Sequence, residues 1–381
     1  MLQKLLISLL LIFILGNFAW AQTPVHPPEN PERKMRIGYL EGGEFPDYQT
    51  IFLRTVEGLI HLGWIEPMKL PENYDANHRR VWEWVADNAK SDYIEFVKDA
   101  FYSSGFDADR RGQTQQALLN RLQEKKDIDL MLAMGTWAGQ DLANNSHDVP
   151  TVVASTSDPL GSGIIQSNDD SGFDHLHAKV EPDRYIRQIQ LFHDIIGFKS
   201  MGLVYENSVE GRTFAAVSDA ERLAEERGFK LKTCFAKNNN VTQEQASSEV
   251  LECYTKLSSQ VEAFYITTHR GERLENLPRL LDPLLKHQVA TFAMPGSQFV
   301  KHGVLLSIAH ADFAHVGRFH AETIAKIFNG ALPRDIEQKW TAPPKIAVNL
   351  RTSEIIGFNP PFDVLAAADE MYEQIIPVKE E

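Results

Sequence analysis

The sequence predicts an α/β protein made of two doubly wound, Rossmann-like lobes joined by crossover strands, with a ligand cleft between them. Two observations carry this expectation. Short runs rich in β-branched and aromatic residues alternate with amphipathic segments, the pattern of βαβ units and parallel sheets. The alternation also runs to completion once and restarts near residue 182, in a chain of 381 residues that is too long for one ordinary core.

In the first run, strands are expected at Met35 to Leu40, Tyr93 to Tyr102, Asp129 to Met134 and Thr151 to Ser155. Helices are expected at Ile51 to Leu62, Arg79 to Ala89, Gln113 to Lys125 and Trp137 to Asn144. The second run has strands at Met201 to Tyr205, Lys230 to Ala236, Ala263 to Thr267 and Ala290 to Ala293. Its helices are Pro182 to Ile195, Arg212 to Arg227, Gln243 to Leu257 and Leu274 to His287. A tail follows, with strands at Val304 to Ile308 and Lys345 to Leu350 and helices at Phe313 to Phe328 and Asp363 to Ile375. The first lobe is therefore expected over 35–160, with an insertion at 66–92, and the second over about 161–303. Residues from about 304 to 381 are expected to cross back to the first lobe.

Residues 1–21 read as a secretory signal: Lys4, the apolar run Leu5 to Leu15 interrupted by Ser8, and small residues in Ala19-Trp20-Ala21. The run falls short of the roughly 20 residues needed to span a bilayer. No Cys follows it to take a lipid anchor, and 22–34 reads as a flexible leader. These features point to a periplasmic protein. The formal net charge of −14 argues against nucleic-acid and anionic-membrane partners. The two cysteines, Cys234 and Cys253, are placed where a disulfide or a pair of buried thiols would both fit.

No G-x-S-x-G, G-x-G-x-x-G or P-loop occurs, which leaves a nucleophile elbow or a nucleotide site without a motif. His310, His315 and His320 recur every five residues, which on a helix turns successive side chains by about 140° and keeps them off one face. No metal or cofactor site is expected. In open α/β sheets, ligands sit outside the carboxyl ends of the strands. The residues there are Glu44, Phe45 and Tyr48 after the first strand, Thr136 and Trp137 after the third, and Ser155, Thr156 and Asp158 after the fourth. The second run offers Asn207, then Thr268, His269 and Arg270, then Ser297, and the tail offers Asp312. Hydroxyls, amides and carboxylates beside aromatic rings suit a small zwitterion with an apolar part. Trp137 has a competing role in packing, and Ser155, Thr136 and Asp158 have competing roles as caps and turn formers.

Four stretches bring a family resemblance. They are I-G-Y-L with G-E-F-P-D-Y and V-E-G-L-I-H-L-G-W; D-L-M-L-A-M-G-T-W-A with P-T-V-V-A-S-T-S-D-P-L-G-S-G-I; V-K-H-G-V-L-L-S-I-A-H-A-D-F-A-H-V-G-R; and P-P-K-I-A-V-N-L-R-T-S-E-I-I-G-F. Over about residues 35–358 the chain resembles the ABC-transporter substrate-binding proteins of the type I periplasmic-binding fold, a group with tryptophan- and tyrosine-binding members. The resemblance implies a closing receptor for amino acids or related organic acids, without a cofactor. It would act as a monomer and hand its ligand to a membrane ABC permease or a membrane sensor. It also implies contacts at Glu44, Thr136, Asp158, Asn207, Thr268 and Asp312. The chain departs from the pattern at Thr268-His269-Arg270, where members often carry Thr-Asp-Asn, and in its longer 66–92 segment; both changes argue against aromatic amino-acid specificity and admit an acidic or otherwise anionic ligand.

Overall fold

The computed structural model of the chain describes residues 23–71, 77–308, 313–341 and 345–378. The putting-together of the first lobe follows from where its apolar runs lie. It is built from β1 (Met35–Glu41), α1 (Pro46–His61), α2 (His78–Asn88), β2 (Ile94–Ser103), α3 (Ala108–Glu124), β3 (Leu130–Met134), α4 (Gly135–Leu142), β4 (Thr151–Ala154) and β5 (Leu176–Ala178). The strands lie in the order β2-β1-β3-β4-β5, and every pairing is parallel. Strands β3 (LMLAM) and β4 (TVVA) are buried at every position. A sheet covered on both faces needs such uninterrupted apolar strands. Pro46 opens α1, where its missing N–H costs nothing, and the Asp107 carboxylate accepts from two backbone N–H groups at the start of α3.

The second lobe continues with α5 (Arg184–Ile196), β6 (Ser200–Tyr205), α6 (Val209–Phe214), α7 (Val217–Arg227), β7 (Lys230–Phe235), α8 (Gln243–Ser258), β8 (Ala263–Ile266), α9 (Leu277–Lys286), β9 (Ala290–Ala293), α10 (Ser297–Lys301) and β10 (Leu306–Ile308). After α11 (Ala314–Phe328) come β11 (Ile346–Asn349), α12 (Leu350–Ile356), α13 (Phe362–Ala367) and β12 (Ala368–Tyr372). The strand order is β12-β11-β10-β9-β8-β6-β7, parallel except where β11 runs against β10.

The tail differs from expectation. Strands β10, β11 and β12 all join the second sheet, and the return to the first lobe is made by α11 and the segment after it, where Ile336 enters the first lobe's core and Arg334 pairs with Asp170. There α11 packs on α1 and places Ala321, Ile324, Ala325 and Ile327 in the same core as Phe52 and Trp82. The physical reason is pairing: β10 is bonded to β9, and β11 finds its partner on β10 rather than on β1. The helix expected over Asp363 to Ile375 is six residues of helix followed by β12, a half-exposed edge strand. The helix expected from Arg212 to Arg227 breaks at Ala216, which takes φ +49°. Strand β5, whose three residues show no alternation to read, extends the first sheet past residue 160. Residues 1–21 and Asp312 lie outside the described residues.

Two of the segments linking the lobes run side by side. The Val180 N–H donates to the Gln338 carbonyl at 2.8 Å, and the Trp340 N–H donates to the Val180 carbonyl at 2.8 Å.

Cys234 on β7 and Cys253 on α8 form a disulfide, with their Cα atoms 5.6 Å apart. It closes a loop with a sequence separation of 19, and such a loop is worth about 3 kcal/mol in the chain-entropy account. Cys253→Ser, or reduction with dithiothreitol, should lower the unfolding free energy by that amount, seen as a lower urea midpoint. An unchanged midpoint would show that the bridge contributes nothing.

Candidate ligand-binding cleft

Each sheet has one point where its strand order reverses. In the first it lies between β1 and β3, and in the second between β6 and β8. Helices leave neighbouring strands in opposite directions at such a point, which opens a crevice at the strands' carboxyl ends. The two crevices face each other. Their rims touch where the Asn240 side-chain oxygen accepts from the Ala108 N–H at 3.2 Å and where the Arg270 guanidinium stands over the Phe106 ring at 5.4 Å.

The crevices merge into a cleft of two connected chambers, with Phe45, Ser155, Ser157 and Thr268 lining both. The strand-end chamber spans about 410 Å³, part of it open to solvent, and adds Tyr48, Phe106, Thr136, Phe214, Asn238 and Arg270. The hinge chamber encloses about 950 Å³, part of it open to solvent. It reaches the paired linking segments and adds Asp47, Thr156, Lys179, Glu181, Arg184, Tyr185, Trp340 and Lys345, among others.

The local chain geometry explains why these side chains arrive here. Gly135, which follows β3 and opens α4, has φ +85°, and a Cβ there would sit 1.9 Å from the Tyr48 hydroxyl oxygen. Its absence lets Tyr48 close the chamber floor. Ser155, just after β4, has φ +59°, a left-handed conformation that costs a non-glycine residue of order 1 kcal/mol and recurs at ligand sites. Beneath the floor, α2 supplies His78, whose Nδ1 lies 2.7 Å from Glu41 Oε2. Glu41 also accepts from the Tyr39 and Ser103 hydroxyls, each at 3.0 Å. The segment read as an insertion thus fixes the end of β1.

Charges in the hinge chamber oppose one another across the lobes. Asp47, from the first lobe, is raised to about 6 by burial, an effect countered by the Arg184 cation of the second lobe. Glu181 is held by Arg187 at 3.0 Å and lies 3.9 Å from Arg184. Lys179 is lowered to about 8 by burial, and its ammonium stands 4.6 Å from the centroid of Trp340. The Thr156 hydroxyl is buried with no hydrogen-bond partner.

Of the residues expected from sequence, Phe45, Tyr48, Thr136, Ser155, Thr156, Thr268 and Arg270 line the cleft. The others have different positions. Trp137 is buried against Phe106 and under Arg111. Glu44 is exposed and turned to the His78 backbone N–H at 3.4 Å. Asp158 closes a turn by accepting from the Gly161 N–H at 2.8 Å. Asn207 is exposed outside both chambers. His269 points into the core, its Nε2 3.2 Å from the Ala236 carbonyl oxygen and its Nδ1 accepting from the Gly271 N–H. Ser297 is buried at the start of α10 and lines neither chamber. Asp47, Lys179, Glu181, Arg184, Tyr185 and Trp340 were not expected. They sit on linking segments and helix starts, not on strand ends.

A family model described as ABC transporter substrate binding protein matches residues 94–372. No curated protein matches the chain. Among solved structures, the ABC domain of Streptococcus pneumoniae in complex with L-Trp is 18% identical, covers 89% of this chain and 99% of its own, and superposes with a TM-score of 0.67. A conserved domain protein of Vibrio cholerae gives 16% identity, 89% and 100% coverage, and a TM-score of 0.67. The ligand-free, open form of a substrate-binding protein with adhesive properties from Clostridium difficile gives 19%, 89%, 100% and 0.58. These likenesses show the two-lobed type I periplasmic-binding fold. With the family model matched over most of its 381 residues, the chain belongs to the ABC transporter substrate-binding protein family.

Proposed function

We propose that the protein captures one small zwitterionic solute, an amino acid or a related organic acid, between its lobes and delivers it to a membrane ABC permease. The observation that carries this reading is the hinge chamber, where Asp47 faces Arg184 across the cleft beside aromatic rings. A carboxylate from one lobe and a guanidinium from the other suit the ammonium and carboxylate of one molecule. Binding both then draws the lobes together. Phe45, Tyr185 and Trp340 supply cover for apolar atoms. The paired Val180 and Lys339 segments are where the closing motion would be absorbed. We also propose that the protein is exported to the periplasm and works there as a monomer that binds without converting its ligand. The signal-like residues 1–21 and the Cys234–Cys253 disulfide support the oxidising compartment.

Native mass spectrometry of the freshly purified protein and a thermal-shift panel of amino and organic acids test the reading, because a ligand of the native state raises its melting temperature. Asp47→Asn should weaken binding of an amino acid by about 1.5–3 kcal/mol, the range for a hydrogen bond to a charged group. Since Asp47 must be ionised to hold an ammonium, affinity should also fall as the pH drops through about 6, and this dependence should vanish in the variant. No retained ligand and no shift with any compound would overturn the proposal.

A further inference from the structure

We infer that the solute carries a second anionic group, remote from its zwitterionic head, which docks against Arg270 in the strand-end chamber. The ligand class is an amino acid with a carboxylate, phosphate or sulfonate on its side chain. This inference rests on the proposed seating of the head in the hinge chamber.

The strand-end chamber is polar and aromatic, and Arg270 is the one charged side chain that lines it. The guanidinium is fixed before any ligand arrives. Its Nη1 donates to the Asn238 carbonyl at 3.0 Å and the Val241 carbonyl at 3.3 Å. The Arg270 backbone N–H donates to the Asn238 side chain at 2.8 Å. Its Nε is buried with no hydrogen-bond partner, so the Nε and Nη2 edge keeps the paired donors that a carboxylate or phosphate takes side-on. No carboxylate among the described residues lies within ion-pair distance of it. Glu206, the one acid acting on it, is bonded to Asn239 at 2.8 Å and lines neither chamber.

Charge across the whole cleft points the same way. Lys179, Arg184, Lys345 and Arg270 face only two carboxylates, Asp47 and Glu181. In a protein of net charge −14, a cleft with surplus cations is a local reversal that draws in anions. A neutral zwitterion satisfies Asp47 and Arg184 and leaves that surplus uncompensated. The shared lining of Phe45, Ser155, Ser157 and Thr268 gives a side chain a continuous path from one chamber to the other.

Isothermal titration of the purified protein with L-glutamate, L-2-aminoadipate, L-cysteate and O-phospho-L-serine, against L-glutamine, L-leucine and L-tryptophan, decides the matter. At least one acidic probe should bind 10- to 100-fold more tightly than every neutral one, and which acidic probe leads identifies the anion. Arg270→Gln should erase that preference, Arg270→Lys should restore part of it, and Asp47→Asn should weaken both classes alike. Neutral probes binding as tightly as acidic ones, or a preference that survives Arg270→Gln in a variant with unchanged melting temperature, would overturn the inference and leave the zwitterion receptor standing. Binding by no amino acid would overturn both.

Discussion

Lowering the pH from 7 to 4 should remove a few kcal/mol from the folded state. His147, His177 and His269 are each lowered to about 4, with burial the largest cause in every case. A base whose folded value lies below its unfolded one stabilises the fold above the unfolded value, here 6.5, and loses that contribution as the pH falls through the folded value. Between pH 7 and pH 4 the three together lose about 8 kcal/mol. His175 and His320 are also lowered by burial and add to the loss. Buried acids work against it. Glu272 is raised to about 8 and Asp47 to about 6, both by burial. Their folded values lie above the unfolded ones, so they return about 6 kcal/mol over the same interval. Upward shifts at Asp141, Glu206 and Asp219 oppose downward ones at Asp127, Asp129 and Asp170. The net loss is set by the histidines. His320 is the sharpest probe, because it is 0% exposed and neither ring nitrogen has a hydrogen-bond partner. His320→Leu should raise the urea midpoint at pH 7 and flatten its decline toward pH 4. A midpoint in the parent protein that holds steady or rises down to pH 4 would contradict the sign of the balance.

The sheets were legible because burial on both faces writes itself into composition. The run LMLAM has no polar position to confuse with a helix face, and TVVA has only the buried Thr151 at its start. What a sequence does not carry is pairing at a distance. Lys345 to Leu350 reads as a strand in any register, and its place on β10 depends on β10 having an open edge beside β9. The site shows the same division. A strand-end rule locates Thr136, Ser155, Thr268 and Arg270, because the backbone carries them to the crevice whatever their side chains do. It does not tell Arg270 from His269, which are adjacent in one turn and point to opposite sides of it. Nor does it reach Lys179 or Trp340, which enter the cleft only because two linking segments pair at Val180 and Lys339. The signal that could have found them is the charge cluster Lys179, Glu181 and Arg184 just before a helix start, where no second strand end was expected.

Gly317→Val should cost about 3 kcal/mol or more and release α11 from the first lobe. A Cβ at Gly317 would lie 2.3 Å from the backbone carbon of Arg54 and 2.5 Å from its carbonyl oxygen. A flexible side chain can swing away from such an approach, but a backbone inside α1 cannot. The facing contact repeats one turn on, where a Cβ at Gly58 would meet the Ala321 Cβ at 2.6 Å. Small residues on both helices therefore let α1 and α11 cross closely enough to bury Ile324 and Ile327 with Phe52 and Leu59. Because α11 supplies Ala321, Ile324, Ala325 and Ile327 to the first lobe's core, its loss should uncover that core while the second sheet stays intact. Hydrogen exchange of the variant should show faster exchange over α1 and α11 and unchanged protection over β6, β8 and β9. Since Phe45 and Asp47 sit at the start of α1, the variant should lose solute binding together with that protection. Equal loss of protection in both lobes would mean that the two cores unfold as one unit, and α11 would then be a strut of the whole molecule and not of the first lobe alone.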